Sequence, residues 1–170
     1  TLDGAGGLFD AGGGLTEKYT FVVSAKDEFT LPLPTLAGYD FVGWNTRQDG
    51  GGEWIDTLYG IRGDLALYAV YTPKTYTIIY NLDGGTYYEG TNPNKILFGE
   101  TVKLVPVAKK GYTFVGWFDS ENGGNEVKQI DESNILRLTV VYARFTLDQY
   151  EITLDGAGGL FDAGGGLTEK

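Results

Sequence analysis

The chain has 170 residues, 42% of them hydrophobic and 14% aromatic, enough to pack a core in each of one or two small domains and too much for a disordered chain. Its 13 Lys and Arg stand against 23 Asp and Glu, a net charge of −10 that repels nucleic-acid backbones and anionic lipid. Cysteine and histidine are both absent, which excludes disulfide frameworks, thiolate or imidazole metal sites and every catalytic constellation built on those groups, so no cofactor or metal is expected.

The chain opens with TLDGAGGLFDAGGGLTEK at Thr1–Lys18, and the same eighteen letters return at Thr153–Lys170, 152 positions later. Such a period is too long for one solenoid turn and implies one or two domains per repeat, so the chain is expected to be a window on a tandem array. No apolar run reaches the length of a membrane span, and no basic and apolar leader stands at the start. A weaker repeat lies inside the period. Gly38-Tyr39-Asp40-Phe41-Val42-Gly43-Trp44 matches Gly111-Tyr112-Thr113-Phe114-Val115-Gly116-Trp117 at a spacing of 73, and Tyr68-Ala69-Val70-Tyr71 matches Tyr142-Ala143-Arg144-Phe145 at 74. Tyr76–Gly85 likewise matches Tyr150–Gly159. The predicted organisation is a first module over 1–72 with a truncated opening strand, a complete second module over 73–148, and the opening strand and turn of a further repeat over 149–170.

In the first module Phe21-Val22-Val23 and Glu28–Leu33 read as extended segments flanking Lys26-Asp27, followed by strands at Tyr39–Trp44 and Leu65–Tyr71. Thr72-Pro73-Lys74-Thr75 is all that separates the modules, and Pro73 stiffens it. In the second module Tyr76, Ile78, Tyr80 and Leu82 share one face at period two, the mark of a half-buried strand, and Asp83-Gly84-Gly85 stops it with residues that tolerate positive φ. Ile96–Val105 reads as an extended segment broken at Gly99-Glu100, with room for a short helix near Pro93. Tyr112–Phe118 carries aromatic residues on both faces and is expected in the middle of its sheet. Asn122-Gly123-Gly124 turns the chain, and Thr139–Phe145 forms the last strand.

The opening strand with its Asp-Gly-Gly turn, then Leu104, then Gly111–Trp117, then Val141-Tyr142-Ala143-Arg144-Phe145 together resemble the Listeria-Bacteroides repeat, found in the B repeats of internalin B and in many bacterial surface proteins. The resemblance covers nearly the whole chain. It departs from the family pattern at Tyr71 and Phe145, where tryptophan is usual, and at Val105, where the first module keeps Pro32. The opening strand Glu151–Gly156 also lacks the Asn-Leu-Asp-Gly-Gly wording. The resemblance implies a β-rich α+β fold of tandem, small β-grasp-like modules with mixed or antiparallel sheet. It also implies export to the bacterial cell surface and a non-catalytic role as spacer or adhesion repeat, by way of contacts to neighbouring repeats.

Residue chemistry supplies few competitors. Asp119, Glu121, Asp131 and Glu132 stand near loops, but nothing selects a pair for glycoside hydrolysis, and solvated turn residues account for them. The Asp155–Asp162 stretch fits neither the EF-hand nor the nonapeptide calcium spacing and reads as a glycine-rich hairpin turn. Lys103 and Lys128 read as solvated strand lysines rather than partners in an intramolecular amide. Aromatic residues shared by both modules are read as core. The unshared Trp54, Tyr59, Tyr87 and Tyr88 sit between motifs and are candidates to contact a host or environmental glycan or protein, the alternative to the spacer role. Finally, Tyr150, Glu151, Ile152, Thr153 and Leu154 complete an opening strand that the amino-terminal copy has only in part. They are expected to add to the first module of another chain in a head-to-tail contact.

Overall fold

The computed structural model describes residues 1–10, 12, 14–24, 26, 28–153, 161, 162, 167 and 168. Among these the chain consists of strands and turns, without a helix. The nearest approach to one is a pair of successive turns in which the Ile135 N–H donates to the Asp131 carbonyl and the Leu138 N–H to that of Asn134, at 2.9 and 3.1 Å. Near Pro93 the chain instead brackets itself to Val105. Asn92 Oδ1 accepts the Val105 N–H at 2.8 Å, standing in for a strand partner.

The second module is built on its opening stretch, which serves two ladders in succession. Thr75–Thr77 pairs antiparallel with Lys95–Leu97, in register Tyr76↔Ile96 and Thr77↔Lys95. Ile79–Asn81 pairs parallel with the closing strand Val140–Leu147, in register Tyr80↔Val141. Ile78 sits at the crossing, its N–H bonded to the Asn94 carbonyl at 3.0 Å and its side chain 1% exposed. The period-two reading holds across the break: Ile78 belongs to the buried core, and Tyr76, Tyr80 and Leu82 pack against it. Behind them Asp83 and Gly84 adopt φ of 48° and 75°, and the Gly85 N–H closes on the Leu82 carbonyl at 2.8 Å. A Cβ on Gly85 would stand 2.8 Å from the Phe145 ring and 3.0 Å from the Leu82 carbonyl oxygen, so a larger residue there forces the ring to shift.

Tyr112–Phe118 is not in the middle of its sheet. The order is Ile79–Asn81, Val140–Leu147, Tyr112–Phe118, so the closing strand is central and the aromatic strand lies at the edge. Its two-faced aromatic pattern comes from a β-bulge. Phe114 pairs with Phe145, but Gly116 pairs with Arg144, and the extra residue, Val115, turns out to solvent. The bulge shifts the alternation by one, so Phe114 and Trp117, three apart in sequence, both face the core with ring centroids 5.9 Å apart.

The first module repeats this plan. Leu2–Asp3 runs parallel to Leu67–Pro73, and Tyr39–Asn45 pairs antiparallel with the same strand through a bulge between Phe41 and Gly43. Lys18–Tyr19 and Trp54–Ile55 extend the sheet to five strands at its two edges. Ala5 and Gly6 take φ of 49° and 92°, reproducing the Asp83-Gly84 turn. The indole N–H of each core tryptophan anchors the preceding segment: Trp44 donates to the Pro32 carbonyl and Trp117 to that of Val105, both at 2.8 Å. The indole bond asks only for the carbonyl, which proline and valine both offer, although Val105 also donates its N–H to Asn92. Of the extended segments expected before Tyr39, Phe29–Thr30 is a strand, paired with Thr57–Leu58, whereas Phe21–Val23 joins none. The hairpin Phe9–Asp10 with Leu15–Thr16 recurs as Phe161–Asp162 with Leu167–Thr168 in the same register.

The joint between modules is ordered by more than Pro73. The Lys74 N–H donates to the Gly38 carbonyl, and the Phe98 N–H donates to the Lys74 carbonyl, each at 2.9 Å. The Phe98 ring meets Tyr39 edge-on at 5.2 Å and covers Gly38, which has φ 82° and no room for a Cβ beneath the ring. Lys74 adds a solvent-exposed ion pair to Asp40 at 3.5 Å.

Candidate functional site

The four loop aromatics divide between the modules. Trp54 lies on the edge strand Trp54–Ile55, opposite Asn45, and is 53% exposed. A Cβ on Gly43 would stand 3.1 Å from its ring, so Trp54 roofs the backbone of the first bulge and leaves its other face to solvent. Tyr59 follows Thr57–Leu58 and is 73% exposed. Tyr87 pairs with Val107 and turns inward onto the second core, while its neighbour Tyr88 points outward, 88% exposed. Tyr87 also acts on Tyr80: burial, and secondarily the phenol of Tyr87, push the Tyr80 pKa up to about 12. The Tyr80 hydroxyl donates to the Pro93 carbonyl at 3.0 Å.

The loop carboxylates are held by turns. Asp119 accepts the Asn125 N–H at 2.7 Å and its side-chain amide at 3.2 Å. Asp131 accepts the Ser133 hydroxyl at 2.6 Å and the Ser133 N–H at 2.9 Å. These hydrogen bonds, to the Asn125 N–H foremost in the first case and the Ser133 hydroxyl in the second, hold both carboxyls below the usual carboxylate range. A general acid needs the opposite shift. Lys128 is paired with Glu126 at 3.6 Å in an exposed setting, and Lys103 projects from the short strand Val102–Lys103. Among the described residues no three His, Cys, Asp or Glu are grouped to hold a metal ion. No helix among them is long and apolar enough to cross a membrane.

Two features were not read from the sequence. Asn45 is fully buried with every polar atom satisfied: Nδ2 donates to the Gly50 and Gly52 carbonyls at 3.1 and 3.2 Å, and Oδ1 accepts the Arg47 and Gly52 N–H groups at 2.9 and 3.0 Å. It gathers the Arg47–Gly52 loop, and Gly50-Gly51-Gly52 just downstream was the available signal. In the second module the same position is Phe118, whose ring carries the Arg144 guanidinium at 3.9 Å. Arg144 gathers the loop instead, donating to the Ser120 carbonyl at 2.6 Å and to that of Gly123.

A cavity of about 530 Å³ opens beside the amino terminus of the first module. Phe21, Val23, Leu58, Ile61, Leu65 and Leu67 supply its apolar lining, and Thr1 forms one wall. The candidate inter-chain strand lies far along the chain from it. Tyr150, Glu151, Ile152 and Thr153 are exposed and in no strand, and Leu154 falls outside the described residues.

Two cores, each made from an opening strand parallel to its closing strand and flanked by a bulged Gly-Tyr-x-Phe-Val-Gly-Trp strand, define a tandem repeat of one small β-rich unit. The chain belongs to the Listeria-Bacteroides repeat domain family, whose model matches residues 8–70 and again 76–144. It is 32% identical over 151 residues to Internalin H of Listeria monocytogenes, an alignment covering 78% of this chain and 26% of that protein. It is also 27% identical over 145 residues to a protein of Evansella cellulosilytica provisionally named as a Gly-rich membrane protein, covering 83% of this chain and 16% of the relative. The chain thus spans about a quarter or less of the length of these relatives.

Proposed function

We propose that the chain is an extracellular spacer and adhesion repeat of a bacterial cell-surface protein, without catalytic activity of its own. Its units are 1–72 and 73–148, with 149–170 opening a further repeat, and each unit is a small β-grasp-like module. The parallel pairing of first and last strands around a separate core supports the module reading, and membership in a repeat family whose relatives include an internalin and a membrane protein supports the surface setting.

The observation that carries the spacer role is the joint. A free linker transmits no orientation, whereas Lys74 is held by backbone hydrogen bonds on both sides and Phe98 is seated on Gly38. The first of these bonds recurs at the end of the second unit, where the Asp148 N–H donates to the Gly111 carbonyl at 3.0 Å. A joint repeated in this way propagates one geometry along an array and holds a distal domain at a fixed offset.

One observation favours the binding alternative: Trp54, Tyr59 and Tyr88 present aromatic surface that neither core uses fully. The two readings separate on a glycan and matrix-protein array. The spacer reading predicts no retention of the chain at any coating density. Retention that is lost in Trp54→Ala or Tyr88→Ala, with unchanged thermal stability, would instead establish a dedicated binding module.

A further inference from the structure

We propose that Asn122 is a site of spontaneous modification: its side-chain amide condenses with the Gly123 backbone nitrogen and is hydrolysed to a carboxylate, with Ser120 assisting the ring closure. Asn122-Gly123 is the single Asn-Gly pair in the chain. Closure through a backbone nitrogen needs a reachable side-chain amide, an unengaged nitrogen, and no side chain crowding that nitrogen. Asn122 and Gly123 are both exposed. Neither the Asn122 side chain nor the Gly123 N–H has a hydrogen-bond partner among the described residues. A Cβ on Gly123 would meet nothing within 4 Å, so the approach to the nitrogen is open.

The other asparagines lack this combination. Asn45 is buried, its amide bonded to the Gly50 and Gly52 carbonyls. Asn92 precedes a proline, whose nitrogen carries no proton to lose. The side chains of Asn81, Asn125 and Asn134 are engaged by the Asp83 N–H, the Asp119 carboxylate and the Asp131 N–H. Asn94 is exposed, but Lys95 follows it and opens a strand paired with Thr75–Thr77. In the first module Asp49 precedes Gly50-Gly51 where the second has Asn122 before Gly123-Gly124. There the Gly50 nitrogen is tied, donating to the Arg47 carbonyl at 3.1 Å.

Ser120 activates the nitrogen. Its hydroxyl donates to the Asn122 carbonyl at 3.1 Å, and that carbonyl belongs to the same peptide unit as the Gly123 N–H. A donor on the oxygen stabilises the negative charge the unit acquires when a solvent base takes its proton. Arg144 adds positive charge nearby, donating to the Ser120 and Gly123 carbonyls. The Gly123 nitrogen then bonds to the side-chain carbonyl carbon of Asn122, and the amide nitrogen leaves as ammonia, taking its third proton from solvent. Water opens the resulting imide. Opening at the side-chain carbonyl leaves aspartate, and opening at the main-chain carbonyl leaves isoaspartate, with an added methylene in the backbone. In sum, an amide and a water become a carboxylate and an ammonium ion. The new charge falls in a polar cleft of about 300 Å³ that Asn122 shares with Arg144. The first module already carries a carboxylate in its own glycine-rich loop, where Asp49 accepts the Gly51 N–H at 2.9 Å and pairs with Arg47. The inference goes beyond the spacer reading and does not rest on it.

The test ages the folded full-length chain at neutral pH in heavy-oxygen water and follows its peptides by mass spectrometry. Conversion of amide to acid, with solvent oxygen incorporated, should accumulate at Asn122 well before it appears at Asn94, the exposed control. Asn122→Gln should lose the reaction at this position, because glutamine has to close a larger ring. Ser120→Ala should slow conversion at Asn122 roughly two- to tenfold, the weight of one hydrogen bond in the activated state. A purely structural role for Ser120 predicts the opposite sign, since a loosened loop reaches the cyclisation geometry more often. An unchanged mass at Asn122 after ageing overturns the proposal. So does conversion no faster than at Asn94, or a rate in Ser120→Ala equal to or above that of the unaltered chain.

Discussion

Replacing Ile78 by alanine tests whether the crossing residue organises the second module. Its side chain is 1% exposed and lies where the opening stretch leaves one ladder for the other, so the surrounding backbone is held on both sides and cannot readily collapse into the void. Buried isoleucine-to-alanine changes cost about 2–5 kcal/mol, the upper end applying where relaxation is restricted. A module of this size has a total stability of roughly 4–11 kcal/mol, so the change removes a large share of it. With urea slopes of about 1–3 kcal/mol per molar, the midpoint should fall by roughly 0.7–5 M. Each core holds one tryptophan, Trp44 in the first and Trp117 in the second, so urea titrations followed by fluorescence in single-tryptophan backgrounds read the two modules separately. The Trp117 transition should move and the Trp44 transition stay within experimental error. A shift below about 1 kcal/mol, or an equal shift in both, would refute the reasoning.

Gly85→Ala should lower the melting temperature of the second module, because the added Cβ meets the Phe145 ring at 2.8 Å and the Leu82 carbonyl oxygen at 3.0 Å. An overpacking cost of about 1–3 kcal/mol corresponds to several degrees in differential scanning calorimetry. Tyr80 makes the second module sensitive to alkali. Its folded pKa is raised above the ordinary value of 10.0 to about 12, chiefly by burial, so its neutral form is favoured in the fold. That contribution is complete below pH 10 and declines as pH rises towards 12, and Tyr80→Phe should flatten this part of the stability profile. At the acid end the turn hydrogen bonds of Asp131 favour its carboxylate, so they support the fold at neutral pH and are lost as pH drops through the lowered pKa. Asp131→Asn should remove that acid-side loss, as followed by circular dichroism.

The sequence made the repeated strand motif and the core legible because both depend on local pattern. The alternation of Tyr76, Ile78, Tyr80 and Leu82 needs only the pleat of a strand, and Asp83-Gly84-Gly85 needs only the tolerance of positive φ. The repeated tryptophans are core, as repetition in two otherwise diverged modules suggested. The place of Tyr112–Phe118 in its sheet was misread because a bulge imitates two-sided burial: one inserted residue puts Phe114 and Trp117 on the same face. The break at Ile78 was equally hidden, since a strand that changes partners keeps its alternation throughout. Asn45 and Arg144 gather equivalent loops by unrelated chemistry, so comparing one module with the other could not have exposed either. Of the loop aromatics, the sequence could not separate Tyr87, which packs inward, from Tyr88, which faces solvent, because that depends on the pairing of Tyr87 with Val107.

The central claim is that the two units are held in one fixed relation by the joint at Gly38, Lys74 and Phe98. It is tested most directly by the distance distribution between spin labels placed through Arg47→Cys and Glu121→Cys, one exposed loop site in each unit of a chain with no cysteine of its own. The account predicts a single narrow distribution that broadens when Phe98→Ala removes the ring covering Gly38. A broad distribution in the unaltered joint, or one that Phe98→Ala leaves unchanged, would contradict it.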